Sequence, residues 1–233
     1  MGRNVMLHIV TDDGSLETST GRVLHFGIRR FVDEIVLGGH CFVCGVSRDS
    51  APFNDEHVIP QWLLRRHGLY DRRVGLPNGA SVPYRSYTVP CCQSCNATLG
   101  KQVEDPMSAL TVGGYDRGVD YLREPNGPAT IFGWLALLFV KTHLKDLMLR
   151  WHVDHRAGEA TIGQAYDWES LHHVHCVARA FHSGASVDRG VIGTLLLCRA
   201  CIGETPEAFD YADLYQAKTV LLRTGDICVI AVL

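Results

Sequence analysis

No stretch of this chain stays apolar for long enough to cross a bilayer. The most apolar run, Ile131 to Val140, has about half of the ~20 residues a spanning helix needs, and Lys141, His143 and Lys145 follow it. Met1 to Val10 lacks the apolar core and small-residue cleavage pattern of a secretory leader, so a cytoplasmic protein with no membrane partner is expected. Charge of one sign is missing too. The 22 Lys and Arg stand against 25 Asp and Glu, a formal net charge of −3, so no protein-wide positive field announces a nucleic-acid binder. Internal repeats and low-complexity segments are absent. The nine cysteines are an odd number and fit thiolate ligands and buried thiols in a reducing compartment better than a disulfide framework. What remains suffices for a real core: 46% of the 233 residues are apolar, enough for one large domain or two modest ones.

The chemistry is concentrated between Cys41 and Glu104. Cys41-Phe-Val-Cys44 and Cys92-Gln-Ser-Cys95 are two Cys-x-x-Cys knuckles about 50 residues apart. Each presents two sulfurs on one side of a tight turn, and together they form the closed four-thiolate shell that structural Zn2+ prefers. Cys91 lies outside the knuckle spacing and is expected to be a buried thiol. Between the knuckles, Asp55-Glu56-His57-Val58-Ile59-Pro60 sets a carboxylate beside an imidazole. Glu56, with an Asn96 amide that could complete an oxygen-rich site, suits a hard cation, Mg2+ or Mn2+. Asn96 equally suits a cap for the helix after the knuckle. Basic charge gathers here as well: Arg65, Arg66, His67, Arg72, Arg73 and Arg85 precede the second knuckle and Lys101 follows it. A basic cluster beside a candidate metal site points to phosphate contact.

Patterning along the chain predicts a strand at Val5 to Val10 and a turn at Asp12-Asp13-Gly14-Ser15. A helix is predicted over Gly21 to Leu37, with Leu24, Ile28, Phe31, Val32 and Ile35 on one face. A short arginine-rich helix at Gln61 to His67, a turn at Leu76-Pro77-Asn78-Gly79, a strand at Tyr84 to Val89 and a helix at Asn96 to Glu104 follow. Gly113, Gly114, Gly118, Pro125, Gly127 and Pro128 predict a loop-rich connection, so residues 1–106 and 107–233 are the expected domains. The second should be mainly helical. Its elements are a long helix at Ile131 to His152, with Lys141, His143 and Lys145 on its wet face, and helices at Tyr166 to Phe181 and Ala208 to Ala217. Val191 to Leu197 reads as a buried strand or helix segment, and Thr219 to Leu222 with Ile227 to Leu233 as a terminal hairpin. Trp134, Trp151 and Trp168 are expected in the core. His172, His173, His175 and Cys176, with Cys198 and Cys201, could bind a second zinc ion, but Cys198 ends the apolar run Leu195-Leu196-Leu197, where buried cysteine is ordinary.

The knuckles, Glu56-His57-Val58-Ile59-Pro60 and Val89-Pro90-Cys91-Cys92-Gln93-Ser94-Cys95-Asn96 together resemble the zinc-containing branch of the HNH endonucleases. The resemblance covers roughly residues 41–104. It implies an α+β fold with a ββα-metal core, a β-hairpin and one helix around a catalytic divalent ion, held by the four-cysteine zinc site. It also implies roles: His57 as the general base that activates water, Glu56 as the acidic metal ligand and Asn96 as the final metal ligand. The family's middle asparagine, which orients the imidazole, falls at Tyr87 by spacing, and Asn78 in the hairpin turn is the alternative orienter.

The implied activity is metal-dependent hydrolysis of phosphodiester bonds, in DNA first and RNA second. Arg65, Arg66, Arg72, Arg73, Arg85 and Lys101 would contact the backbone, which positions a substrate without reading its sequence. No base-reading element is evident, so specificity would come from the second half or from a partner protein, and a single active site cutting both strands would suggest a homodimer. The alternative is a zinc-stabilised nucleic-acid or protein binding module that has lost the reaction.

Overall fold

The computed structural model describes residues 8–76, 78–152, 160–186, 193–200 and 209–233. Strands β1 (His8–Val10), β2 (Leu16–Thr18) and β3 (Val23–His25) form an antiparallel sheet in that order. The part of the first predicted strand before His8 lies outside the described residues. Helix α1 (Ile28–Arg30) runs on as widened π-type turns over Phe31–Leu37. It starts later than Gly21 because Gly27 is extended, donates its N–H to Ser15 Oγ at 2.8 Å, and lies so near Asp13 that any side chain would strike its carbonyl. Residues 23–25 therefore join the sheet.

After the first knuckle come β4 (Glu56–His57), α2 (Gln61–Arg66), the paired strands β5 (Arg73–Gly75) and β6 (Ser81–Pro83), and β7 (Thr88–Val89). Strand β4 pairs antiparallel with β7, Glu56 opposite Val89 and His57 opposite Thr88. The strand predicted from Tyr84 is shortened, since Tyr84–Ser86 form a 3-10 turn behind Pro83. Helix α3 (Gln93–Leu99) widens over Gly100–Glu104 and continues as α4 (Asp105–Val112). Pro106 has no N–H for the carbonyl four residues back, which accounts for the widened turns before it. The predicted boundary at 106 thus lies within a continuous helical run.

The predicted glycine-rich loop is largely helix α5 (Gly114–Arg123), followed by α6 (Gly127–Asp146). Gly118 serves close packing: an added Cβ would lie 3.1 Å from Leu197 Cδ2. After 3-10 turns at Ile162–Ala165 and Glu169–Leu171 come α7 (His172–Ala178) and α8 (Ala180–Ser183). The chain ends in β8 (Thr194–Arg199), β9 (Phe209–Leu214), β10 (Thr219–Thr224) and β11 (Ile227–Val232), an antiparallel sheet ordered β8-β11-β10-β9. Strands β10 and β11 are the expected terminal hairpin, and β8 and β9 widen it to four strands in a region that still holds more helix than strand among the described residues. Over Ala208 to Ala217, the described part is strand β9 followed by a turn, with Phe209, Tyr211 and Asp213 half-buried and Asp210, Ala212 and Leu214 exposed. Pairing with β10 along its whole length outweighs the helix preference of alanine and leucine.

Helix α6 is the centre of the core, packing against α5, α7, β7 and β10. Its Leu135, Leu138 and Phe139 are fully buried, as are Leu63 and Val89 before it and Val220 and Leu222 after it. One apolar core therefore spans residues on both sides of position 106. Trp134 and Trp168 are buried as expected, whereas Trp151 is exposed. Lys141 and His143 correct the expected wet face, each being 1% exposed. No helix among the described residues is long and apolar enough to cross a membrane.

Candidate functional site

The two knuckles meet. Cys41, Cys44, Cys92 and Cys95 bring their sulfurs within 4.8 Å of one another, and Cys44 Sγ lies 3.8 Å from Cys92 Sγ. Backbone bonds fix this meeting: Gly45 N–H donates to Cys41 O at 2.8 Å, Phe42 N–H to Pro90 O at 3.2 Å, and Gln93 N–H to Pro52 O at 2.9 Å. Gly45, at φ 78°, supplies the left-handed turn of the first knuckle. Hydrogen bonding from Cys44, then from Cys91 and Cys95, drives the Cys41 thiol far below its ordinary pKa. Four close sulfurs, three of them buried, fit zinc in number, type and spacing. Cys91 is a fully buried thiol beside them.

On β4, His57 and Glu56 have separate surroundings. His57 Nε2 is buried without a hydrogen-bond partner. Burial is the main cause that lowers the His57 pKa; the Glu56 charge opposes it, and Lys141 and Arg65 add to it. Burial thus favours the neutral imidazole, with Nε2 available. Neither of the expected orienters holds it. The Tyr87 side chain is buried and raised in pKa, first by desolvation and then by Asp146 and Asp213, and it lines a cavity with those two acids. Asn78 turns the β5–β6 hairpin, accepting from Ala80 N–H at 3.0 Å and donating to Arg150 O at 2.7 Å.

The Glu56 carboxylate is 5% exposed and accepts from Lys141 Nζ at 2.9 Å, which also donates to His57 O at 2.8 Å. Glu104 stands 3.9 Å from the same ammonium, and burial pushes its pKa well above the usual carboxylate range. Asn96 donates to Asp55 O at 2.9 Å and to Asn54 Oδ1 at 3.1 Å, tying α3 to the turn before β4. Asp55 makes that turn in a left-handed conformation, φ 47°. Among the described residues, no group of three His, Cys, Asp or Glu ligand atoms includes Glu56 or His57. A carboxylate already neutralised by a buried ammonium does not fit a hard cation, and the arrangement offers no seat for Mg2+ or Mn2+ through Glu56.

The basic residues divide. Arg66 stacks on Trp62 and donates to Thr111 Oγ1 at 2.6 Å, Arg73 braces its hairpin through Ser81, and Arg85 pairs with Asp71 at 2.9 Å. Arg65 and Arg72 are exposed; Arg65 lies over the Tyr70 ring, and that ring is 6.1 Å from His57. Lys101 is exposed on the widened turns after α3.

Lys141 is the main residue that sequence reasoning misplaced. The signal was there, because a lysine on a helix apolar nearly all round has no wet face and must be paired inside. One turn on, a cavity of ≈590 Å³ is lined by Tyr87, His143, Asp146, Tyr166, Tyr211 and Asp213. Tyr166 OH donates to Asp146 Oδ2 at 2.5 Å, Asp146 Oδ1 is buried without a partner, and His143 Nδ1 donates to Phe139 O at 2.7 Å.

Compared with protein-family models, with curated proteins and with solved structures, the chain finds no match.

Proposed function

We propose that the chain is an HNH-type endonuclease, a phosphodiester hydrolase acting on DNA first and RNA second, with His57 as its general base. The observation that carries this is the imidazole itself: Nε2 is buried without a partner, and burial favours the neutral ring. An unpaired buried nitrogen of this kind calls for a ligand, and water is the ligand that the reaction requires. In support, the antiparallel pair of β4 and β7 followed by α3 is the order of a ββα unit, with the cysteine cluster at its base.

In this reading His57 Nε2 takes a proton from water as the oxygen attacks phosphorus. The P–O bond to the leaving 3′-oxygen breaks, and solvent returns a proton to that oxygen. Arg65 and Arg72 hold the phosphate backbone. Lys141 touches no substrate; through Glu56 and the His57 carbonyl it keeps β4 in place. A divalent ion has no step here.

The ion pair of Glu56 with Lys141 favours a second reading, a zinc-stabilised binding module, since an acid engaged in a buried pair is sufficiently explained by stability. Labelled single- and double-stranded DNA and RNA, incubated with the zinc-loaded chain with Mg2+, with Mn2+ and with neither, separate the two. Cleavage that His57→Ala abolishes and Arg65→Ala weakens supports the nuclease. Binding without cleavage under all three conditions supports the module.

A further inference from the structure

We propose a second metal site, formed by His25, His172 and Cys176, for a transition-metal ion of the zinc type with its fourth position open to solvent. His172 and Cys176 are one helical turn apart on α7 and share a face, and His25 meets that face from the end of β3. Cys176 Sγ lies 3.5 Å from His25 Nδ1 and 3.7 Å from His172 Nε2, and all three ligand atoms fall within 4.8 Å of one another. Nitrogen about 2.0–2.1 Å and sulfur about 2.3 Å from a tetrahedral zinc lie about 3.6 Å from each other. Both separations match that figure. The same rule puts two sulfurs about 3.8 Å apart, which is the Cys44 to Cys92 distance in the knuckle cluster.

The surroundings fix the three ligands. Arg179, one turn further along, is buried and donates to Val43 O, Leu24 O and Val23 O, clamping β3 against α7. Phe31 lies 5.5 Å from the His172 ring, and the His25 ring stands edge-on to it at 5.1 Å. His172 Nε2 also lies 2.6 Å from Phe26 O, so ligation there exchanges that hydrogen bond for a metal bond. Two imidazoles and a thiolate select zinc over magnesium or calcium. His25 is exposed, so the fourth position belongs to water, unlike the closed four-cysteine shell. Of the other residues that the sequence grouped with Cys176, His175 hydrogen-bonds Phe42 O at 2.7 Å and Cys198 is exposed on β8, while Cys201 lies outside the described residues. A metal here would pin the N-terminal sheet to α7.

The test is metal content of the full chain after equilibration with Zn2+ and removal of loosely held ion. The wild type should retain two equivalents, and His25→Ala with Cys176→Ser should retain one, with an unchanged circular dichroism spectrum. One equivalent in the wild type, or two in the double variant, overturns the proposal. Should the double variant fail to fold, zinc X-ray absorption of the wild type decides: mixed sulfur and imidazole scattering is expected, and a pure sulfur shell contradicts the site.

Discussion

At the scale of single residues, the buried charges make the firmest demands. Lys141 and Glu56 are 1% and 7% exposed at their side chains, so removing Lys141 leaves the Glu56 carboxylate buried without its counter-charge. Lys141→Met should cost about 3–5 kcal/mol of stability, and adding Glu56→Gln should recover much of it. Urea unfolding measures both, and a wild-type midpoint in the single variant would mean that the pair contributes nothing. Asp146 carries a pH signature. Burial raises its pKa from 3.8 to about 6, against the opposing hydrogen bond from Tyr166. Between these values the folded state keeps a proton that the unfolded state has released, so this contribution is present at low pH and is lost as pH rises through 6. Asp146→Asn should flatten that fall in a plot of unfolding midpoint against pH. An unchanged slope would assign the pH dependence to other groups.

Among the elements, the corner between α5 and α6 depends on Gly127, where any side chain would overlap the Tyr121 carbonyl oxygen. Gly127→Ala should therefore destabilise by about 1–3 kcal/mol or more through a forced backbone shift, seen as a lower melting temperature. Elements with local determinants were legible in the sequence. The knuckles declare themselves by spacing, and α2 by Pro60 and its arginines. Strand β9 and helix α5 were not, for opposite reasons. Asp213 lies on the inward side of β9 and breaks the apolar alternation that marks a strand, while the glycines of α5 that resemble a loop include one that lets Leu197 approach. The candidate site was half legible: His57 and the four cysteines came from motif and spacing, but Lys141 comes from a helix 84 residues away. No local pattern joins two such residues, and only the rule that a buried charge needs a partner connects them.

For the whole molecule, the consequence is a single cooperative unit. Helix α6 lies against β7, and Lys141 closes the underside of β4, so residues 1–106 would lack both their core helix and the counter-charge for Glu56. That fragment should remain unfolded even with zinc, and a dispersed amide NMR spectrum from it would contradict the single core. The central claim, that His57 is a neutral general base, is tested most directly by the pH dependence of single-turnover DNA cleavage. The rate should rise with pH along one ionisation centred below the ordinary imidazole value of 6.5 and then level off, and His57→Ala should lose it throughout. Folded, zinc-loaded protein that cuts nothing at any pH, or a His57→Ala variant that cuts as fast as the wild type, would contradict it.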